Sequence, residues 1–166
     1  MLNKINYLGI DPGKTGAFVI LNPEGVILER ESMPVTGTEY NIHGISDFLL
    51  IHREGIKMAC IEMINTVFIG GKASNFDFGY GYGILRGLLV AHSIPHLVTK
   101  PRDWQNHYFR GMAKGLSTKE KALEIARNQW PSTDFRVIGK RGNYTTKIDD
   151  GFVDALLLAN FARFIK

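Results

Sequence analysis

The first third of the chain consists of short apolar runs separated by turn residues. Residues 7–10 form the first run, residues 17–21 the second and residues 26–28 the third, with glycine and proline in the turns between them. Runs of this length, bounded by such residues, are typical of β-strands. Because both connections are short, the pattern predicts three consecutive antiparallel strands.

The middle of the chain alternates between helical and strand-like patterns. Apolar residues recur at helical spacing over residues 42–51, and short apolar runs at residues 58–61 and 96–98 predict two further strands. Between those two runs, residues 74–92 are amphipathic but rich in glycine, which disfavours helix. The spacing predicts a helix there, most clearly in its second half.

The last third is basic, then strongly apolar. Residues 101–115 are basic and aromatic, and Ser117 with Glu120 predicts a capping box at the start of a helix that ends before Pro131. Residues 134–147 carry several cations around two glycines and predict a mobile loop, and residues 150–165 predict a buried helix. The whole order predicts an α/β fold with a five-stranded mixed sheet, three antiparallel strands and then two crossover strands, flanked by helices.

The length and the composition of the chain limit the classes of protein to which it can belong. The chain has 166 residues, 45% of them hydrophobic and 22% charged, which is ordinary for a globular protein, and we found no internal repeat or dividing linker. We therefore expect a single domain over residues 1–166. No apolar run approaches the ~20 residues of a membrane span, no signal peptide is evident, and Cys60 is the only cysteine. We expect a cytoplasmic protein with no membrane partner.

Charge is distributed unevenly along the chain. Residues 1–97 hold 7 Lys and Arg against 9 Asp and Glu, whereas residues 98–166 hold 13 against 7. The second part is basic although three aspartates cluster within it. A basic flank beside an acidic cluster is typical of a nuclease, in which cations contact the phosphate backbone and carboxylates hold metals. A solvated basic surface is the alternative.

Four carboxylates stand at positions that suggest a common site. Asp11 and Glu62 each follow a short apolar strand, and neighbouring strands would place them at one edge of the sheet. Asp150 and Asp154 are four residues apart and share one face of the last helix. Asp154 lies among apolar residues, where a carboxylate is costly unless a cation or a donor compensates it. Unrelated surface acids remain the alternative to a shared site.

Oxygen ligands of this kind select hard cations, so the predicted cofactor is Mg²⁺, with Mn²⁺ as a substitute. Two such ions ~4 Å apart activate water and stabilise the leaving oxygen in phosphodiester hydrolysis. Asp149 is an alternative to Asp150 as the metal ligand. Each of these two aspartates could instead serve only as the N-cap of the last helix. The sequence leaves this choice open.

The segment from Gly9 to Gly16 also resembles two phosphate-binding motifs. A Walker loop needs four residues between its first glycine and Gly-Lys-Thr, whereas only three separate Gly9 from Gly13. The spacing Asp-x-Gly-x-Thr resembles the first phosphate motif of actin-like ATPases, but the chain offers no second motif of that kind. We interpret these glycines as turn residues beside Asp11, with Lys14 as a candidate backbone contact.

The ordered motifs resemble RuvC-type Holliday junction resolvases of the RNase H-like superfamily, especially the phage-like branch. The residues that carry the resemblance are Gly9-Ile10-Asp11-Pro12-Gly13, Ile61-Glu62, Asn75-Phe76-Asp77-Phe78-Gly79, Pro101-x-x-Trp104, Trp130-Pro131 and Asp150-x-x-x-Asp154. The resemblance implies an RNase H-like fold, a homodimer, two Mg²⁺ ions per site and paired nicks in a four-way DNA junction. It identifies Asp11, Glu62, Asp150 and Asp154 as catalytic metal ligands.

One departure concerns the last two acids, which are four residues apart here and three apart in the best-known bacterial members. The junction-wedging aromatic of the family is not placed either. Phe68, Phe76 and Phe78 are candidates for contact with bases, but core packing is the favoured interpretation of each. The predicted DNA-binding residues are Lys114, Lys119, Lys140, Arg141, Lys147 and Phe68. The alternatives to an enzyme are a non-catalytic branched-DNA-binding protein on the same fold and an actin-like ATPase fragment.

Overall fold

The structure is a computed structural model that describes residues 5–63, 72–139 and 142–165. One turn of 3-10 helix, Arg53–Gly55, follows the first α-helix. The elements in chain order are β1 (Asn6–Ile10), β2 (Ala17–Leu21), β3 (Ile27–Ser32), β4 (Val35–Thr36), β5 (Glu39–Tyr40), α1 (Ile42–His52), β6 (Ile56–Glu62), α2 (Lys72–Ala91), β7 (His96–Thr99), α3 (Pro101–Phe109), α4 (Thr118–Gln129), β8 (Arg136–Ile138), β9 (Tyr144–Ile148) and α5 (Asp150–Phe164).

The main sheet has five strands in the order β3-β2-β1-β6-β7. The β1–β2 and β2–β3 pairs are antiparallel, and β6 runs parallel to both β1 and β7. This arrangement confirms the predicted mixed sheet of three antiparallel strands followed by two crossover strands. Short turns allow only the antiparallel pairs, whereas α1 and α2 provide the long connections that parallel neighbours need.

The two faces of the sheet carry separate hydrophobic cores because successive strand residues point to opposite sides. Leu8 and Ile10 of β1 pack on the face that α1 and α2 cover, with Leu85 of α2 among their partners. Tyr7 packs on the other face with Trp104 of α3 and the apolar residues of α5. The helix α5 is apolar nearly all round because the sheet lies on one of its sides and α4 on another.

One segment differs from the sequence prediction, and the structure defines two others more fully. Residues 134–147 do not form only a loop, because β8 and β9 pair there as an antiparallel hairpin. The first half of α2 is helical despite its glycines. The basic and aromatic segment after residue 100 forms α3, which begins with Pro101 at its first position, where the missing N–H costs nothing.

The predicted capping box at the start of α4 is confirmed. Ser117 accepts a hydrogen bond from the backbone N–H of Glu120, and the Glu120 side chain accepts one in return from the backbone of Ser117. Among the described residues, no helix is both long and apolar enough to cross a membrane.

Candidate active site

The parallel pairing of β1 and β6 brings Asp11 and Glu62 to the same edge of the sheet. Ile10 is the last residue of β1 and lies opposite Ile61 in the register. Asp11 and Glu62 come directly after these two residues, so both stand at the carboxyl ends of neighbouring strands. The expectation that the two strands are adjacent is therefore correct.

Close backbone contacts hold α5 against that edge. A Cβ atom at Gly9 would lie 1.9 Å from the carbonyl oxygen of Ala155, and one at Gly151 would lie 2.3 Å from the carbonyl oxygen of Thr15. Only glycine allows the helix and the β1–β2 turn to approach this closely. Gly9 is thus a packing residue of β1, not the turn residue that we predicted.

Three of the four predicted acids line one cavity of 420 Å³. Asp11 comes from the end of β1, and Asp150 and Asp154 come from the first turns of α5. The β8–β9 hairpin forms part of the wall, which sequence reasoning missed because the segment has no strong strand pattern. The lining residues are Asp11, Lys14, Thr15, Gly16, Ser32, Lys119, Val137, Lys147, Ile148, Asp149, Asp150, Gly151 and Asp154.

The carboxyl groups of Asp11 and Asp154 are strongly perturbed by their surroundings. Desolvation raises the pKa of Asp154 to about 8, and the negative charges of Asp11, Glu62 and Asp150 act in the same direction. Desolvation also raises the pKa of Asp11 to about 7, with Glu62 as the next cause. Glu62 does not line the cavity, yet its charge acts on both aspartates. The negative charges of the other three predicted acids therefore all act on the carboxyl group of Asp154.

Glu62 is oriented by a tryptophan. The indole Nε1 of Trp104 donates a hydrogen bond to Oε1 of Glu62 over 2.6 Å, and Trp104 is buried with 1% of its surface exposed. Burial raises the pKa of Glu62, and this hydrogen bond opposes the increase. A buried tryptophan needs an acceptor for its N–H. The sequence showed Trp104 only as part of a motif and gave no sign of this contact.

Asp149 and Asp150 differ in their contacts. Oδ1 of Asp149 accepts a hydrogen bond from the backbone N–H of Phe152 and caps α5, while Oδ2 lies 2.7 Å from the guanidinium of Arg30. Asp150 begins the helix and pairs with Lys119, its Oδ2 lying 2.5 Å from the lysine Nζ. Both oxygens of Asp149 are thus engaged by protein groups, which favours Asp150 as the residue available to a ligand.

Arg30 was not predicted, and it links three parts of the cavity wall. Besides Asp149, its guanidinium donates to the carbonyl oxygens of Asp134 and Arg136. It also stacks 3.7 Å from the ring centroid of Phe152. A charged residue in the middle of a strand with alternating polarity is the only signal that the sequence offers for such a role.

The lysine and arginine residues predicted to bind DNA do not all lie at the cavity. Lys119 and Lys147 line the cavity, whereas Lys114 is exposed in the loop before α4 and is not among the described residues that line it. Lys14 also lines the cavity, and its Nζ lies 2.6 Å from Oδ2 of Asp77 on α2, while a contact of Lys14 with a DNA backbone stays a prediction. Lys140, Arg141 and Phe68 lie outside the described residues.

Two of the candidate aromatic residues are exposed on α2. Phe76 is 75% exposed and Phe78 is 44% exposed, so neither is a core residue. Phe76 stacks on Tyr80 of the same helix, with 6.3 Å between ring centroids. Both phenylalanines are accessible to a partner surface or to a base.

The donor set at the cavity suits a hard divalent cation, because it consists of carboxylate oxygens that are desolvated and mutually repulsive. Within the described part of the chain, no three His, Cys, Asp or Glu side chains already lie close enough together to hold a metal ion. Asp150, one of the predicted ligands, is paired with Lys119 in this structure.

Comparison with known proteins identifies relatives by structure only. No protein-family model matches the chain, and no curated protein matches it by sequence. The Thermus thermophilus RuvC structure matches with a TM-score of 0.63, 19% identity and 95% of each chain covered. RuvC of T. thermophilus in complex with a Holliday junction substrate matches with a TM-score of 0.62 and 18% identity, over 96% of this chain and 95% of that one. The chain therefore has the RNase H-like fold of RuvC over nearly its whole length.

Proposed function

We propose that this protein is a divalent-metal-dependent endonuclease that cuts branched DNA. Asp11, Glu62, Asp150 and Asp154 are its proposed metal ligands. The observation that carries the proposal is the convergence of these acids from β1, β6 and α5 at one edge of a RuvC-like sheet. The pKa values of Asp11, Glu62 and Asp154 are raised there, and the positive charge of a bound cation would lower them again.

The proposed cofactor is Mg²⁺, two ions per site, with Mn²⁺ as a substitute. Such ions activate water and stabilise the leaving oxygen in phosphodiester hydrolysis. The chain itself contributes orientation and charge. Trp104 holds Glu62 in place, the N-cap contacts of Asp149 fix the start of α5, and Lys119 and Lys147 offer cations at the cavity for a scissile phosphate.

The proposed substrate is a four-way junction, cut by paired nicks. A junction of this kind was bound by the similar T. thermophilus RuvC. A two-fold homodimer suits an approximately two-fold substrate because it presents two cavities of the same kind. The basic character of residues 98–166 supports binding to the phosphate backbone.

The surface of α2 supports the proposed homodimer. Phe76, Tyr80, Gly83, Gly87 and Val90 recur with alternating spacings of four and three residues, which is the seam of a helix pair. All five are exposed, Phe76 by 75% and Val90 by 66%, and a Cβ atom at Gly83 or Gly87 would meet nothing within 4 Å. A second copy of α2 could pack closely against this seam.

The dimer is tested by light scattering after size-exclusion chromatography. We expect the unmodified protein to elute as a dimer and Gly83→Glu to elute as a monomer, because the substitution places a charge in the seam. Asn128→Glu, on the exposed side of α4, serves as the control and should leave the mass unchanged. A monomeric unmodified protein at micromolar concentration would contradict the dimer.

Activity is tested on a synthetic four-way junction with Mg²⁺, with Mn²⁺ and with EDTA. We expect cleavage with either metal and none with EDTA. Asp11→Asn should abolish cleavage but keep binding of the junction, whereas Asp47→Asn, on the exposed face of α1, should cleave normally. Cleavage by Asp11→Asn in Mg²⁺ would overturn the assignment of the site.

A non-catalytic branched-DNA-binding protein is the second candidate. The pairing of Lys119 with Asp150 and the absence of a preformed metal group among the described residues favour it. Such a protein would bind the junction equally well with EDTA and with Mg²⁺ and would give no product with either metal. The same assay therefore separates the two candidates.

A further inference from the structure

A second cavity lies between α3, the turn that follows it, and α4. Its volume is 770 Å³, and no residue lines both this cavity and the one that contains the acids. We call it the α3–α4 groove. It is lined by Pro101, Arg102, Gln105, Asn106, Phe109, Arg110 and Lys121.

The groove is formed by one continuous face of α3. Arg102, Gln105, Asn106 and Phe109 are spaced i, i+3, i+4 and i+7, so they lie along the same side of the helix. Trp104 and Tyr108 occupy a different side and pack into the core, and the ring of Phe109 also contacts the core beside Trp104. The helix is thus anchored through its aromatic residues, while the polar side chains of Arg102, Gln105 and Asn106 line the groove.

The groove carries three positive charges and no acidic lining residue. Within the described part of the chain, none of Arg102, Arg110 and Lys121 has an acidic group within ion-pair distance; all four ion pairs there involve other residues. Lys121 is half-buried in the wall of the groove. Unpaired cations that face one concave surface repel each other and attract an anion.

Both helices that form the groove also contact the predicted acids. On α3, Trp104 donates to Glu62, and on α4, Lys119 pairs with Asp150. Lys119 also lines the acid cavity, whereas Lys121 lines the groove. The helix α4 therefore contributes to the walls of both cavities.

The chemistry of the lining matches a phosphodiester backbone. Arginine binds phosphate oxygens through a planar fork of donors, and the amides of Gln105 and Asn106 supply further donors and acceptors. Phe109 offers a half-buried ring against which a sugar or a base can pack. We propose that the α3–α4 groove binds the sugar-phosphate backbone of a nucleic acid strand that leads away from the acid cavity. This inference rests on the proposed function, since it extends the substrate beyond the site of cleavage.

The first test compares two double variants. One variant lacks two positive charges of the groove, and the other lacks two positive charges at the opposite edge of the sheet. Arg102→Gln with Arg110→Gln is compared with Arg53→Gln and Lys57→Gln, whose exposed residues lie at the start of β6, far from its carboxyl end. Junction binding is measured in EDTA over a range of salt concentrations. The logarithm of the binding constant falls linearly with the logarithm of the salt concentration. If the two arginines contact two phosphates, this negative slope should become less steep by about 2 in the groove variant. The control variant should keep the slope of the unmodified protein.

The second test places a thiol in the groove. Cys60 is the only cysteine and is fully buried, so a single new cysteine can be modified selectively. Asn106→Cys should form a disulfide with DNA that carries a thiol tether on a backbone phosphate, several nucleotides from the junction centre. Lys57→Cys, equally exposed, should not.

The outcomes separate the groove from the proposed activity. A shallower salt dependence in the arginine variant, together with cross-linking of Asn106→Cys but not of Lys57→Cys, supports the inference. This holds even if the unmodified protein never cleaves the junction, and in that case only the nuclease proposal fails. If the unmodified protein cleaves, but the groove variant matches the control in slope and Asn106→Cys does not cross-link, the inference is overturned and the nuclease proposal stands.

Discussion

The Nζ atom of Lys119 lies 2.5 Å from Oδ2 of Asp150. This contact joins the start of α4 to the start of α5 across the mouth of the acid cavity. The positive charge of Lys119 also lowers the pKa of Asp11 and of Asp154, against the larger effect of desolvation. Lys119 thus compensates part of the negative charge that a divalent cation would otherwise neutralise.

Replacing Lys119 should separate metal binding from catalysis. In Lys119→Met, the metal no longer competes with an ammonium group, so the Mg²⁺ concentration needed for half of the thermal stabilisation should fall. Cleavage at saturating Mg²⁺ should fall by about 10²–10³-fold because a charge that faces the scissile phosphate is lost. Thermal shift titrations and single-turnover cleavage measure the two effects. Lys119→Arg is the control, and an unchanged metal titration in Lys119→Met would contradict this role.

The raised pKa values of Asp11 and Asp154 predict a specific pH dependence of stability without metal. Both groups bind protons more tightly in the folded protein, with pKa values of about 7 and about 8, than in the unfolded chain, where about 4 is usual. Stability should therefore fall as pH rises from about 4 to about 8 and then level off. The melting temperature in EDTA, measured across this range, checks the trend.

Asp154→Asn isolates one contributor to that trend. The variant cannot ionise at this position, so at pH 8.5 in EDTA its melting temperature should exceed that of the unmodified protein by several degrees, roughly 2–4 °C for each kcal/mol recovered. Asp47→Asn should show no such gain. Saturating Mg²⁺ should reverse the order, because only the unmodified protein retains the full set of proposed ligands.

The contacts of the two adjacent aspartates predict opposite results for the same substitution. Asp149→Asn can still cap α5, since asparagine is a good N-cap residue, and should retain most cleavage with a modest loss of stability from the weakened pair with Arg30. Asp150→Asn should lose both Mg²⁺-induced stabilisation and cleavage. Calorimetry with Mg²⁺ and the junction assay check both variants. Normal cleavage by Asp150→Asn would make Asp149 the better candidate ligand.

The packing of Gly9 predicts a large effect of one added methyl group. In Gly9→Ala, the Cβ would lie 1.9 Å from the oxygen of Ala155 and 2.3 Å from the nitrogen of Ala159, so α5 or β1 must shift. We expect a loss of about 1–3 kcal/mol or more in the free energy of unfolding, measured with urea. Gly13→Ala, whose Cβ would meet nothing nearer than 3.9 Å, should cost far less. Equal stability of the two variants would show that α5 is not held by this contact.

Local patterns account for the elements that the sequence predicted. The apolar runs at residues 7–10 and 17–21, the turn between them and the capping residues Ser117 and Glu120 are local patterns of a few residues, so they are visible without tertiary structure. The convergence of Asp11 with Asp154 was predictable in part, because strand ends and a costly buried carboxylate both indicate a site. Their roles as metal ligands stay a prediction.

Contacts between distant residues account for what the sequence did not show. Arg30 binds Asp149, and Trp104 binds Glu62, but neither pair has a spacing that a motif could encode. The β8–β9 hairpin contacts the core through Phe135 and Ile148, which no local strand pattern reveals. The helix α2 keeps its glycines because tertiary packing of Leu85 and Leu89 outweighs their low propensity.

The contact of α5 with β1 and the β1–β2 turn also has a consequence for folding. Asp11 and Asp154 come from opposite ends of the chain, and α5 packs on β1, β2 and β6 together, so we expect it to dock after these strands have paired. Contacts of such long sequence separation form late and slowly. Partly folded molecules would then display Asp11 and Glu62 at a sheet edge without the third side of the cavity. For the nuclease proposed above, this order would keep a newly made chain from cutting DNA until the last helix had docked.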